Sequence, residues 1–198
     1  MKFQTTLSDY RKSKGDVLVV FATSEKEEYV LSGEAKAIDA LLGGEIRETL
    51  SLEKYDGAFD TTFFVYAHKA IEFRAVLVVG LGDVKKLTVG KVQKICARIA
   101  RRATDSRAVS LHIAVSSDLT SILSAEILGQ SVSEGILLGS YVFLKHKEEK
   151  VKAKHHDISE CVIHIAGGKL EAFDQGLKRG LIVAGAVSFV RDLVNEPP

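Results

Sequence analysis

Two glycines lie where a phosphate could approach the backbone. Residues 78–83 read VVGLGD, which places Gly80 and Gly82 at the end of a predicted strand, shortly before a helix. Glycines at such a point let a phosphate reach backbone N–H groups near the positive end of a helix. The third glycine of a dinucleotide-binding fingerprint is missing, and six residues separate Gly82 from the expected helix start at Val89. We therefore interpret the segment as a structural turn, with a phosphate site as the alternative.

A second candidate is the charged segment at residues 145–156, KHKEEKVKAKHH. Its basic residues are Lys145, Lys147, Lys150, Lys152, Lys154, His146, His155 and His156. They could contact phosphates, but Glu148, Glu149 and Asp157 dilute the positive charge, and no aromatic residue is interleaved for base stacking. His155 and His156 are adjacent and would point to opposite faces of a strand, which disfavours a metal site. We predict an exposed, solvated loop, and nucleic-acid contact stays the alternative.

The remaining reactive residue types form no catalytic arrangement in the sequence. His112 and His164 fall within apolar strand patterns, which indicates a half-exposed strand face, and His68 lies in a predicted turn. No serine occurs in a G-x-S-x-G elbow, and neither Cys96 nor Cys161 begins a helix or belongs to a C-x-x-C motif. We therefore predict no catalytic, cofactor-binding or metal-binding residue in this chain.

The composition is that of an ordinary globular protein. Of 198 residues, 46% are hydrophobic and 27% are charged, and the net charge of +1 gives no strong field to attract DNA or an anionic membrane. The N-terminus has no apolar signal region, and the longest apolar run, residues 181–190, is about half of what a membrane span requires. We predict that this run is a helix buried on most sides. Two unpaired cysteines fit a reducing, cytoplasmic environment.

Strand and helix patterns alternate along the chain, which predicts a layered α/β domain with a mixed sheet flanked by helices. The predicted strands cover residues 16–23, 61–67, 73–82, 108–115 and 157–167. The predicted helices cover residues 34–44, 89–103, 120–138 and 169–194. Residues 68–72 are predicted to connect a hairpin, and Thr88 is expected to cap the second helix.

The final helix carries three glycines and is followed by the only prolines of the chain. Its apolar stripe is Leu170, Phe173, Leu177, Leu181, Ala184 and Val187. Glycine is costly inside a helix, so we expect Gly176, Gly180 and Gly185 to permit close packing against the sheet. Pro197 and Pro198 cannot continue a helix, so the helix is expected to end before them.

Three stretches together resemble the leucyl aminopeptidases, or cytosol aminopeptidases. Residues 188–198, SFVRDLVNEPP, resemble the segment that links the two domains of that family, and the matching residues are Arg191, Asp192, Leu193, Asn195, Pro197 and Pro198. Residues 133–147, SEGILLGSYVFLKHK, resemble a helix end of the family at Glu134, Gly135, Leu138, Gly139, Tyr141 and Phe143, with His146 in place of the usual aromatic residue. Residues 77–101 are similar to its strand–GLG–helix stretch.

The resemblance implies an N-terminal domain without chemistry of its own. Family members are two-domain, hexameric, cytoplasmic enzymes that remove N-terminal amino acids from peptides in intracellular protein turnover, using two divalent ions such as zinc, manganese or magnesium. Their metal ligands lie in C-terminal motifs that do not occur here. The resemblance therefore implies one domain over residues 1–194 and a linker at 195–198 leading to an absent catalytic domain. The role of this N-terminal domain would be packing and assembly.

Two other functions stay open at this point. The N-terminal domain of the family resembles the macro fold, whose relatives bind ADP-ribose, so a stand-alone macro-like module could bind a nucleotide through Gly80 and Gly82. Since fold does not carry function, this is an analogy. Nucleic-acid contact through the lysine-rich segment is the other alternative.

Overall fold

Seven strands form one mixed sheet in the computed structural model, which describes residues 1–26, 28–153, 155–165 and 169–196. They are β1 Lys2–Thr6, β2 Gly15–Glu25, β3 Glu28–Leu31, β4 Thr62–Tyr66, β5 Phe73–Gly80, β6 Ser110–Ala114 and β7 Glu160–His164. The order is β1-β7-β6-β2-β5-β4, and β3 pairs with the end of β2. Neighbours are parallel except for the β4–β5 and β2–β3 pairs, which are antiparallel. The predicted mixed α/β class is confirmed.

Helices cover both faces of this sheet. They are α1 Gly33–Leu41, α2 Glu45–Leu52, α3 Val89–Asp105, α4 Ser117–Ile122, α5 Ala125–Ser140, α6 Glu149–Lys152 and α7 Leu170–Asn195. Helices α1 and α2 contribute to the core on one face, and α3, α4, α5 and α7 contribute to the core on the other. None of the helices in the described part of the chain combines the length and apolar character that a membrane span requires.

The apolar run of β2 explains why it is the central strand. Val17, Val19 and Phe21 are buried in the core beneath α3, whereas Leu18 and Val20 are buried in the core beneath α1 and α2. Successive side chains of a strand point to opposite faces, so a continuous apolar run is stable only when both faces are covered. The prediction of a doubly covered strand is therefore confirmed.

The predicted hairpin and helix cap are also present. Strands β4 and β5 pair antiparallel, with Phe64 opposite Leu77. The connection turns through His68 and Lys69, whose φ angles of 41° and 69° take the place of an Asn-Gly turn. The Thr88 side chain accepts a hydrogen bond from the N–H of Lys91 and so begins α3.

Some elements differ from the sequence-based expectations. The single helix expected over residues 120–138 is two helices, because the Ser124 side chain accepts a hydrogen bond from the N–H of Ile127 and caps a new helix, α5. Helix α2 was not expected; the buried carboxylate of Asp39 binds its first N–H groups, at Ile46 and Arg47. Strands β1 and β3 were not expected either, because β1 has a single apolar residue, Phe3, and β3 has only four residues.

The glycines of α7 approach another helix rather than the sheet, which corrects the sequence-based expectation. A Cβ atom at Gly176 would lie 1.8 Å from the carbonyl oxygen of Glu126 in α5, and one at Gly180 would lie 2.6 Å from that of Gln130. Gly185 has open space around it. Close contact between helices therefore accounts for two of the three glycines, and Gly185 has no packing role.

Candidate functional site

Helix α7 extends beyond the core that anchors its first half. Phe173 and Leu177 are buried in the core, and Ala184 is the last buried residue of the helix. The apolar residues that follow or flank it are exposed, namely Ile182, Val183, Phe189, Val190, Leu193 and Val194. Phe189 is 62% exposed and Val194 is 79% exposed. We call these six residues the α7 apolar face. The sequence-based prediction that residues 181–190 are buried on most sides is wrong for Ile182, Val183, Phe189 and Val190.

Polar contacts hold the end of α7 against the chain that follows α5. The Tyr141 hydroxyl donates to Asp192 Oδ1 at 2.7 Å, and the Arg191 guanidinium lies 5.4 Å from the centre of the Tyr141 ring. Glu196 binds both Lys145 Nζ and His146 Nε2. These two hydrogen bonds lower the pKa of Glu196. The end of α7 is therefore attached to the body of the domain, although its apolar side chains are exposed.

A groove lies between the end of α7 and the chain that follows α5. It has a volume of about 330 Å³, and its apolar lining comes from Val142, Phe143, Leu144, Phe189 and Leu193. Val142 is half exposed and extends the α7 apolar face across the groove. Contiguous apolar surface of this kind commonly marks an interaction site. Sequence reasoning missed it because apolar residues occur on most sides of this helix, and the pattern alone does not show which side has a partner.

The glycine turn at residues 80–82 is filled by the chain itself. A Cβ atom at Gly80 would lie 2.2 Å from the Ala58 carbonyl oxygen and 2.3 Å from the Tyr55 hydroxyl. Residues 58–61 therefore occupy the space that a phosphate would need beside Gly80. Gly82 has a φ of 68°, a left-handed conformation that favours glycine. This geometry favours the structural interpretation of both glycines.

Part of the lysine-rich segment is paired with carboxylates within the segment or outside it. Lys145 and His146 bind Glu196, Lys152 binds Glu149 at 2.7 Å, and His155 binds Asp157 at 2.9 Å. Part of the segment forms the short helix α6 rather than a loop. Lys154 lies outside the described residues, as do Pro197 and Pro198. Cations that are already paired attract a phosphate backbone less strongly, so the arrangement does not favour nucleic-acid contact.

His112 and His164 are buried, which corrects the prediction of a half-exposed strand face. They are 6% and 4% exposed, and His112 Nδ1 lies 2.9 Å from His164 Nε2. They sit diagonally across the parallel pair β6–β7, because Val162 lies opposite His112 and Ala114 lies opposite His164. His164 Nδ1 also contacts the carbonyl oxygen of Ser8 at 3.0 Å. His68 is exposed in its turn.

The cysteines are positioned as apolar core residues. Cys96 and Cys161 are both buried in the core beneath α3. Burial raises the pKa of Cys96 to about 12 and also raises the pKa of Cys161. Because the thiolate is the reactive form, neither side chain is suited to nucleophilic chemistry.

The described residues do not fit the divalent ions that the resemblance implies. Across residues 1–26, 28–153, 155–165 and 169–196, no group of three or more His, Cys, Asp or Glu side chains is placed to hold a metal ion. The two buried histidines already use ring nitrogens on each other and on Ser8. No metal-dependent step is therefore derived from these residues.

Comparison with known proteins identifies relatives along the whole chain. The family model described as the cytosol aminopeptidase family, N-terminal domain, matches residues 17–150. A probable cytosol aminopeptidase from Alkaliphilus metalliredigens is 26% identical over 198 residues, covering 100% of this chain and 39% of the relative. Another from Chlorobium limicola is 30% identical, covering 100% of this chain and 40% of the relative. The chain thus spans about two fifths of the length of these relatives.

Solved structures show the same fold. A mutant of tomato leucine aminopeptidase superposes with a TM-score of 0.79 at 18% identity, covering 100% of this chain and 38% of that protein. The bottromycin maturation enzyme BotP superposes with a TM-score of 0.63 at 18% identity, covering 92% of this chain and 33% of that protein. At this identity the likeness establishes the fold alone.

Proposed function

Because this chain belongs to the cytosol aminopeptidase family and matches its N-terminal domain, we propose that it is the non-catalytic part of a metal-dependent aminopeptidase. The parent enzyme removes N-terminal amino acids from peptides in the cytoplasm, as part of intracellular protein turnover. Two divalent ions, manganese, zinc or magnesium, belong to its catalytic portion. Residues 1–194 supply a scaffold for packing and assembly, and residues 195–198 begin the linker. The full-length parent forms a hexamer.

The α7 apolar face is the observation that carries this proposal. Large apolar side chains on a well-formed helix are exposed at one end of the domain, beside an apolar groove. Removing such side chains from water contributes roughly 25 cal/mol for each Å² of apolar surface buried. About three fifths of the length of this relative lies outside the part that this chain matches, and α7 is the last described element of this chain. The catalytic portion is therefore the proposed occupant of the face.

A chimera tests this assignment directly. This chain replaces the aligned segment of the Alkaliphilus metalliredigens relative, and hydrolysis of leucine amide is measured with added manganese. We expect the chimera to assemble and to be active. Combining Phe189→Asp with Val190→Asp should reduce its activity or assembly by about tenfold or more, because burying two charges at the docking face costs a large free energy.

Leu52→Asp is the matched control, because Leu52 is an exposed apolar residue at the end of α2, distant in sequence from the α7 apolar face. It should leave the chimera active. The 198-residue chain by itself should show no turnover. Turnover by the isolated chain, or an equal loss from Leu52→Asp, would contradict the proposal.

A further inference from the structure

A groove of about 840 Å³ opens between β3, α1 and α2. Helices α1 and α2 contribute to the core on the face of the sheet opposite the core that anchors α7. The volume of the groove falls within the range of small-molecule sites, about 300–1,000 Å³. The proposed scaffold role does not use this groove, so its lining calls for a separate explanation.

A buried carboxylate positions an arginine at the groove. Asp39 is 1% exposed, and its Oδ2 atom accepts a hydrogen bond from Arg47 Nε at 2.5 Å. Its Oδ1 atom accepts from the backbone N–H groups of Ile46 and Arg47, at 3.0 and 3.2 Å. The Arg47 side chain is nevertheless 66% exposed. The guanidinium is therefore fixed through Nε, and within the described residues its two terminal nitrogens have no hydrogen-bond partner and can donate to a ligand.

Two lysines add positive charge around this arginine. Lys36 from α1 and Lys54, just beyond α2, both line the groove, and neither forms an ion pair within the described part of the chain. Arg47 and Ser51 are four residues apart on one side of α2, and Lys54 follows the C-terminal end of this helix. Three carboxylates also line the groove, so its acidic and basic side chains are equal in number. Asp39 is bound to Arg47, Asp56 accepts a hydrogen bond from the N–H of Ala58, and Glu28 is exposed on β3.

Aromatic rings supply the apolar part of the lining. The rings of Tyr29 and Tyr55 are stacked, with centres 5.8 Å apart and planes inclined by 30°. Tyr55 is buried and also contacts Phe63 edge-on at 5.1 Å, so its ring is held in place. Tyr29 lies on β3 and is only partly buried, so part of its surface remains open to the groove. Leu31 and Leu50 are buried and also line the groove.

We propose that this groove binds a small organic anion with an aromatic body. The carboxylate or phosphate of the ligand takes hydrogen bonds from Arg47 and charge from Lys36 and Lys54, because guanidinium groups match the geometry of such anions. The aromatic ring of the ligand packs against Tyr29, as aromatic pairs do in offset or edge-on arrangements. Neither contact involves the α7 apolar face.

Titration of the 198-residue chain with four probes tests the chemistry. The probes are N-acetylphenylalanine, phenyl phosphate, the neutral N-acetylphenylalanine amide and inorganic phosphate. Their binding is followed through the backbone amide chemical shifts of the protein in NMR spectra. We expect one or both aromatic anions to bind with a Kd of about 1 mM or tighter, and at least about tenfold more tightly than the neutral amide. The comparison of the carboxylate and the phosphate identifies the preferred anion. Failure of both aromatic anions to bind at about 10 mM overturns the proposal.

Variants then locate the site. Lys54→Ala combined with Lys36→Ala should lower the affinity for both aromatic anions by about tenfold. Tyr29→Ala should also lower the affinity for these two anions, but it should leave the affinity for inorganic phosphate unchanged. These positions avoid the Asp39–Arg47 pair, so the fold should be preserved, as a thermal melt would show. Lys86→Ala, an exposed lysine outside the groove, is the matched control. Unchanged affinity in Tyr29→Ala and in the lysine pair overturns the proposal.

Discussion

Burial and hydrogen bonding together set the protonation of His112 and His164. The carbonyl oxygen of Ser8 only accepts, so His164 Nδ1 must carry the proton that binds it. Because burial lowers its pKa, the His164 ring is neutral at pH 7; its Nε2 is then an acceptor, and His112 Nδ1 donates to it. Both rings are neutral in this arrangement. Burial and the neighbouring His164 ring lower the pKa of His112 from 6.5 to about 4, and burial also lowers the pKa of His164.

This pair predicts a loss of stability in mild acid. The unfolded His112 takes up a proton near its ordinary pKa of 6.5, whereas the folded one does so only near 4. Its contribution to the free energy of unfolding is therefore complete above about pH 6.5 and is lost as the pH falls toward 4, by roughly 2 to 3 kcal/mol. Urea unfolding at a series of pH values measures this slope.

Comparison with variants separates His112 from the carboxylates, which also titrate in acid. His112→Gln should be less stable than the wild type at pH 7, and the difference should shrink as the pH approaches 4. His68→Asn is the control, because His68 is exposed and asparagine tolerates its positive φ. A constant difference between His112→Gln and the wild type across this pH range would show that His112 does not cause the slope.

At the scale of elements, the contact between α5 and α7 depends on glycine. Gly129 of α5 faces the backbone of α7 at Phe173, just as Gly176 of α7 faces Glu126 of α5. Backbone atoms cannot move aside as a flexible side chain can. The two helices therefore approach more closely than any residue with a Cβ atom would permit, and this contact anchors the first half of α7.

A pair of glycine substitutions tests this contact. Gly176→Ala should destabilise the domain by about 3 kcal/mol, because the added Cβ atom would overlap the Glu126 carbonyl oxygen. Gly185→Ala should be neutral or stabilise by about 0.5–1 kcal/mol, because it has open space and alanine favours the helix. Chemical unfolding of both variants measures the difference. Equal effects at the two positions would refute the role assigned to close helix contact.

At the scale of the whole molecule, one end of α7 belongs to the domain core and the other end is exposed. The helix of 26 residues is about 39 Å long, and its buried residues stop at Ala184. Exposed apolar side chains at one end of an otherwise packed helix are typical of a surface that another structural unit covers. This distribution of burial agrees with the proposed scaffold role.

Hydrogen exchange should report this difference in environment. In the isolated chain, amides of residues 173–184 should exchange slowly, and those of residues 186–195 should exchange faster, because few buried contacts protect them. In the chimera, the second set should become protected as the catalytic portion covers the α7 apolar face. Residues 34–41 in α1 serve as an internal control, because α1 packs on the face of the sheet opposite the core that anchors α7. Unchanged exchange at residues 186–195 would count against docking.

Much of the fold could be predicted because the decisive signals are local. The apolar run of β2 predicts burial on both faces, and the Thr88 cap and apolar spacing of α3 predict a helix with one buried side. Other segments carry weaker signals. Strand β1 has a single apolar residue, and the first N–H groups of α2 are bound by Asp39, which belongs to the preceding helix. For these segments the stabilising partner lies elsewhere in the chain.

The sequence by itself determined the α/β class and the family to which the chain belongs, because periodicity and motifs are properties of neighbouring residues. Only the tertiary structure decided that Ala58 fills the space beside Gly80, that His112 and His164 meet in the interior, and that the end of α7 is exposed. Each of these depends on contacts, present or absent, between residues far apart in the chain. An apolar or polar residue type does not specify its partner; the packing of the elements does.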